Sequence, residues 1–232
     1  MTNYLAIFVI NVLLLNGCLT FNSSFNDLST ENKVPSLKYT LSGHSEGVES
    51  LIDLGDGLMA SGAMDGSIRV WEVGKKESKF IFDRSNGGHS SVVYSLAKLS
   101  NGYLASGAAD FTIKIWNLNT GALVITFDRT RGGHNSAVYS LAALETGFLA
   151  SSSADMTVKV WDMNILELKF TFDQTNGGHS DSVKSLAVLE NGYLASASLD
   201  KTVKIWDVAL GRLKSTLQGT NFLFLFCFVR RF

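Results

Sequence analysis

Gly88-His89, Ser95-Leu96, Asn101-Gly102, Leu104-Ala105-Ser106, Asp110 and Trp116-Asn117 mark a stretch that this chain writes four times. Forty-five residues further on the marks return as Gly133-His134, Ser140-Leu141, Thr146-Gly147, Ser151, Asp155 and Trp161-Asp162. Another step gives Gly178-His179, Ser185-Leu186, Asn191-Gly192, Ser196, Asp200 and Trp206-Asp207, and one step back gives Gly43-His44, Ser50-Leu51, Asp56-Gly57, Ser61, Asp65 and Trp71-Glu72. All 4 tryptophans and all 4 histidines of the 232 residues sit on this period. Self-similarity at a fixed period of this length marks a repeat architecture in which each copy is one supersecondary unit.

Each copy parses into four short strands. In the clearest copy they are Val93–Ala97, Tyr103–Gly107, Thr112–Trp116 and Leu123–Phe127. Between the first two, Asn101-Gly102 suits a type I′ hairpin, whose two central residues both need φ > 0; Thr146-Gly147 keeps only the glycine. The third strand alternates in period two and so has two unlike faces. Small residues, Ala105 to Ala108, fill the second strand, as a strand sandwiched between neighbouring sheets requires, while Phe80, Phe82, Phe127, Phe170 and Phe172 supply bulk on the last strands. One such unit cannot cover its own faces, so stacking the units makes the core.

A Gly-His followed 27 residues later by Trp-Asp, with an Asp six residues before the Trp, resembles the WD40-repeat family of β-propellers over residues 37–219. The resemblance implies an all-β fold of four four-stranded blades, at about 44–83, 89–128, 134–173 and 179–218. The family usually closes seven blades, about 315 residues at this period, and four units fill 180. Blades shaped for a wide ring are wedged too shallowly to close with four, so the expected architecture is an open arc or partial propeller.

His, Ser and Asp in one unit would suit a hydrolase triad, but a catalytic site is needed once, whereas a residue needed in every blade is holding the blade. The resemblance assigns His44, Ser61, Asp65 and Trp71; His89, Ser106, Asp110 and Trp116; His134, Ser151, Asp155 and Trp161; and His179, Ser196, Asp200 and Trp206 to structural tetrads. Ser gives each buried indole N–H an acceptor, and His bridging to Asp satisfies both. His and Asp recur singly per blade with no second ligand nearby, so no metal site, cofactor or catalytic residue is expected.

Function should lie where the copies differ. Two columns match the rim where family propellers receive peptides: Glu49, Tyr94, Tyr139 and Lys184 follow the first strand's Val, and Met64, Ala109, Ala154 and Leu199 precede the turn Asp. Two tyrosines with Met64 and Leu199 would make an apolar anchor, with Glu49 and Lys184 setting orientation; the plainer alternative is that they are semi-exposed strand ends. The resemblance therefore implies a non-enzymatic scaffold for peptide or protein partners, and the open blade faces imply self-association. A net charge of −1 lacks the basic excess that nucleic-acid binding needs.

The ends read differently. Residues 1–21 form a hydrophobic leader; Tyr4 to Leu15 is a mostly apolar run, like the centre of a secretory signal peptide, but no Lys or Arg precedes it. Two expectations stand: a cleaved leader on a secreted or surface-anchored propeller binding an extracellular ligand, with Asn22-Ser23-Ser24 as a glycosylation sequon, or an uncleaved leader on an intracellular protein, touching membrane only there. Residues 22–36 read as a polar linker containing the single proline, Pro35. Register is lost after Gly219, where a Phe-rich tail of residues 220–232 replaces the next expected His; it is too short to span a bilayer and reads as a splice or frame boundary. Cys18 and Cys227 lie outside the repeats and have no metal-ligand spacing.

Overall fold

The computed structural model describes residues 18–21, 37–100, 102–144 and 147–218. The leader except Cys18–Phe21, the linker, Asn22 and the tail after Gln218 lie outside the described residues. Among those described, no helix is long and apolar enough to cross a membrane.

Strand β1 (Cys18–Phe21) pairs antiparallel with β2 (Tyr39–Ser42). Four antiparallel four-stranded sheets follow, each ordered as the chain runs. The first blade is β3 (Val48–Gly55), β4 (Leu58–Ala63), β5 (Ile68–Glu72) and β6 (Glu77–Phe82); the second is β7 (Val93–Lys98), β8 (Tyr103–Ala108), β9 (Ile113–Asn117) and β10 (Leu123–Phe127). The third is β11 (Val138–Ala143), β12 (Phe148–Ser153), β13 (Val158–Asp162) and β14 (Glu167–Phe172); the fourth is β15 (Val183–Val188), β16 (Leu194–Ser198), β17 (Thr202–Asp207) and β18 (Arg212–Gln218). The four blades form an unclosed arc.

The first strands of neighbouring blades pack on one another and are tied across the seam. Leu141 N–H donates to Ser95 Oγ at 3.0 Å, and Leu186 N–H donates to Ser140 Oγ at 3.3 Å. Each seam is closed further out by a phenylalanine lying flat on the next blade's indole: Phe82 on Trp116 at 4.3 Å, Phe127 on Trp161 at 4.4 Å, and Phe172 on Trp206 at 4.3 Å. All six rings are buried, and stacked aromatic pairs contribute about 0.5–1.5 kcal/mol beyond the burial of their area. The small residues of the second strands let the blades approach this closely; a Cβ on Gly107 would collide with the Val138 side chain of the next blade.

The seam pattern continues one step before the first blade. Leu41 of β2 is 2% exposed and packs with Met59 on Trp71, where the later seams use phenylalanine. Among the described residues it is not continued after the fourth blade, where the equivalent residue, Leu217, is 55% exposed.

The loops between β6 and β7, β10 and β11, and β14 and β15 are built alike. Asp83, Asp128 and Asp173 each cap a short 3-10 turn by accepting from the backbone two residues on. The paired glycines that follow are required: Gly87 has φ 86°, and a Cβ on Gly88 would collide with the Asp83 backbone. The loop thereby delivers each histidine into the blade below.

The hairpins between first and second strands correct one expectation. In the first blade both turn residues have φ > 0, Asp56 (52°) and Gly57 (73°). In the fourth blade Gly192 is at 78° while Asn191 is not in the left-handed region, and Leu189 N–H donates to Tyr193 O at 2.9 Å around a three-residue loop. Leu99 to Tyr103 and Leu144 to Phe148 close in the same way. A three-residue loop needs one left-handed residue rather than two, and glycine alone supplies it in the fourth blade.

Candidate functional site

Every blade carries the same buried chain of hydrogen bonds. In the second, Trp116 Nε1–H donates to Ser106 Oγ at 2.9 Å, Ser106 meets His89 Nε2 at 2.8 Å, and His89 Nδ1 meets Asp110 Oδ2 at 2.9 Å. The third and fourth blades repeat it, with Trp161–Ser151 at 2.9 Å, Ser151–His134 at 2.8 Å and His134–Asp155 at 2.9 Å, then Trp206–Ser196 at 2.8 Å, Ser196–His179 at 2.8 Å and His179–Asp200 at 2.7 Å. In the first, Trp71–Ser61 is 2.8 Å and Ser61–His44 is 2.7 Å, while His44–Asp65 lengthens to 3.3 Å as His44 Nδ1 also meets Ser67 Oγ at 3.0 Å.

These contacts fix the protons. The serine oxygen accepts from the indole, so its own hydrogen goes to His Nε2, and Nδ1 carries the proton given to the carboxylate. Burial pushes all four histidines below their ordinary pKa, against the pull of the partner aspartates. Burial would raise the aspartates, but hydrogen bonds outweigh it: those from His89 and Thr112 hold Asp110 well below the usual carboxylate range, and those from His134, Asn135 and Thr157 do the same for Asp155. Asp65 and Asp200 shift down for the same kind of reason.

A fifth member escapes the sequence reading. Thr112, Thr157, Thr202 and Ser67, each two residues after the tetrad aspartate, donate their hydroxyls to it at 2.7 Å. The backbone N–H of Ser45, Ser90, Asn135 and Ser180 completes each carboxylate's shell, at 2.8–3.1 Å. With both imidazole nitrogens and both carboxylate oxygens engaged, this machinery ties loop, turn and blade together.

The variable column has a common geometry. Glu49, Tyr94, Tyr139 and Lys184 all fall where the pairing of first and second strands skips one residue, between Val48 and Ser50, Val93 and Ser95, Val138 and Ser140, and Val183 and Ser185. Each is the extra residue of a β-bulge, a device that re-aims a side chain out of the ladder. The second column adjoins it through the backbone: the N–H groups of Met64, Ala109, Ala154 and Leu199 donate to Gly47, Val92, Ala137 and Ser182 carbonyls at 2.7–3.0 Å.

Three of the candidates form one run across three blades. The Tyr94 and Tyr139 rings are 5.4 Å apart, tilted at 50°, and Lys184 Nζ stands 3.6 Å from the centre of the Tyr139 ring. A cation over an aromatic face is attracted to its π cloud. Met64 (45% exposed) and Leu199 (48%) stand at the turns of the two outer blades, and Glu49 is exposed on the first. No hydrogen bond, ion pair or ring contact among the described residues joins Glu49, Met64 or Leu199 to the tyrosine run. Of the six candidates, Tyr94, Tyr139 and Lys184 are thus the ones joined by ring contacts.

A shallow hollow is lined by Asp110, Phe111, Thr112, Asp128, Arg129, Thr130 and His134. Asp110 and His134 of this lining belong to the tetrads of two different blades.

A protein-family model described as "WD domain, G-beta repeat" matches the chain four times, over residues 35–72, 80–117, 124–162 and 168–207. Among solved structures the chain is similar to U3-55K, with 31% identity and a TM-score of 0.68 over 78% of this chain and 54% of that one. It is similar to the WD40 β-propeller domain of Doa1, with 28% identity and a TM-score of 0.66 over 87% and 65% of the two chains. The computationally designed Ika8 protein aligns at 28% identity and a TM-score of 0.71, over 92% and 61%. The chain thus spans 54% to 65% of the length of these three structures. Comparison with curated proteins finds no match.

Proposed function

Since the chain belongs to the WD40-repeat family, whose propellers generally bind other proteins, we propose that it is a non-enzymatic scaffold that receives peptide or protein partners on its rim. The observation that carries this reading is the run Tyr94–Tyr139–Lys184, three side chains placed by successive bulges and touching across two seams. Aromatic residues bring large contact area with few rotatable bonds, and they dominate binding hot spots. Lys184 favours a partner that brings a carboxylate or a carbonyl beside its own apolar side chain. Met64 and Leu199 extend the apolar contact along the turns.

The tetrads support the non-enzymatic part. A general base needs a free lone pair within reach of substrate, and each histidine spends its only lone pair on a serine hydroxyl. Self-association through an uncovered blade face belongs to the same reading.

The test is crosslinking or pull-down from cell extract, comparing wild type with Tyr94→Ala/Tyr139→Ala. Loss of the recovered partners with an unchanged melting temperature is expected. Equal recovery from both proteins sinks the rim as the binding surface.

A further inference from the structure

The two ends of the arc are complementary. At every internal seam the outer strand of one blade places a large apolar side chain on the next blade's indole. Among the described residues nothing covers the same face of the fourth blade: Val203 and Ile205 are part-exposed, whereas their equivalents Ile113 and Ile115 are 0% exposed. Leu217 is exposed, and Ser185, whose equivalents Ser95 and Ser140 accept a backbone N–H from the next blade, has no such partner among the described residues.

At the other end, the face of the first blade is closed by Leu41 on Trp71. The strand that carries Leu41 repeats the strand that carries Leu217: Lys38-Tyr-Thr-Leu41-Ser-Gly43 against Lys214-Ser-Thr-Leu217-Gln-Gly219. A seam holds one outer strand, and this chain owns two that fit the seat at Trp71. They are unequally held. β18 is the far arm of a hairpin with β17, registered over Thr202–Gln218 to Asp207–Arg212, and Lys214 Nζ anchors it to the Tyr193 hydroxyl at 2.6 Å. β2 pairs over four positions with β1, a strand far upstream.

We propose that the uncovered face of the fourth blade docks the first blade of a second copy of this chain, with Leu217 of one copy replacing Leu41 on Trp71 of the next. β2 is then a removable cap that occupies the seat until another copy arrives. The proposal rests on the self-association included above and names its strand and its seat. The contact joins unlike surfaces, so it either closes a ring or extends.

Sedimentation of the full chain over a wide concentration range tests it. The wild type should rise in mass with concentration, and Leu217→Asp should stay monomeric over the same range with an unchanged melting temperature, since Leu217 is exposed in the single chain. Leu41→Ala loosens the cap and should bring association on at about tenfold lower concentration. A wild type that stays monomeric throughout overturns both self-association and the strand replacement. Association undiminished in Leu217→Asp, as the Phe-rich tail alone would produce, overturns the replacement and leaves self-association standing. If Leu41→Ala does not fold, wild type and Leu217→Asp still decide.

Discussion

Phe82, on the last strand of the first blade, lies 4.3 Å from the indole of Trp116 in the second, with the ring planes 11° apart. The pair is the outer clasp of a seam, and the Phe80 ring stacks beside Phe82 with centroids 6.0 Å apart.

Phe82→Ala should therefore cost about 3–5 kcal/mol, as large-to-small changes in packed cores do. Leu217→Ala, at the equivalent position without a following blade, should stay within about 0.5 kcal/mol. Chemical denaturation of the two variants beside wild type measures the difference; equal losses would mean that the seams do not carry the stability.

Ser106→Ala leaves the Trp116 N–H and His89 Nε2 buried and unpartnered, and Asp110→Ala strips His89, Thr112 and Ser90 of their acceptor. Each should destabilise by about 1–3 kcal/mol. An unfolding midpoint unchanged by either would mean that the tetrad contributes nothing.

Acid should destabilise the protein in two stages. The histidines are held below their ordinary value of 6.5, so the unfolded chain binds protons that the folded one refuses, and stability falls as pH drops through about 6.5 toward the lower folded values. The aspartates are held below 3.8, so a further loss begins as pH falls below that value. Thermal melts from about pH 8 to about pH 3 should show a falling midpoint below neutrality, and a midpoint flat from about pH 7 to about pH 5 would contradict buried neutral imidazoles.

The residue after each tetrad aspartate is left-handed: Gly66 at φ 79°, Phe111 at 72°, Met156 at 69° and Lys201 at 68°. Side chains cost about 1–2 kcal/mol there. Lys201→Gly should stabilise by about 0.5–1 kcal/mol, and Gly66→Ala, whose Cβ would also crowd the His89 carbonyl at 2.9 Å, should destabilise by about 1–2 kcal/mol. Calorimetric melting of both settles the signs.

Marks that recur at a fixed interval made the blades and tetrads legible, because a side chain needed once per unit repeats with the unit. Glu49, Tyr94, Tyr139 and Lys184 stood out for the opposite reason, as one column with three residue types. Their bulge was not legible, since a skipped residue exists only relative to the strand it faces. Thr112 and its equivalents were hidden because a hydroxyl at the start of a β-rich strand looks like ordinary strand composition. The two-residue turn expected at Asn191-Gly192 failed for a local reason: glycine alone met the backbone requirement.

A residue that stands outside the ladder owes nothing to the ladder. The four bulge positions already hold an acid, two phenols and an amine on backbones that pair alike, so their chemistry can drift while the scaffold beneath stays untouched. Evolution, or an engineer, can rewrite these four positions one letter at a time, without renegotiating how the arc folds.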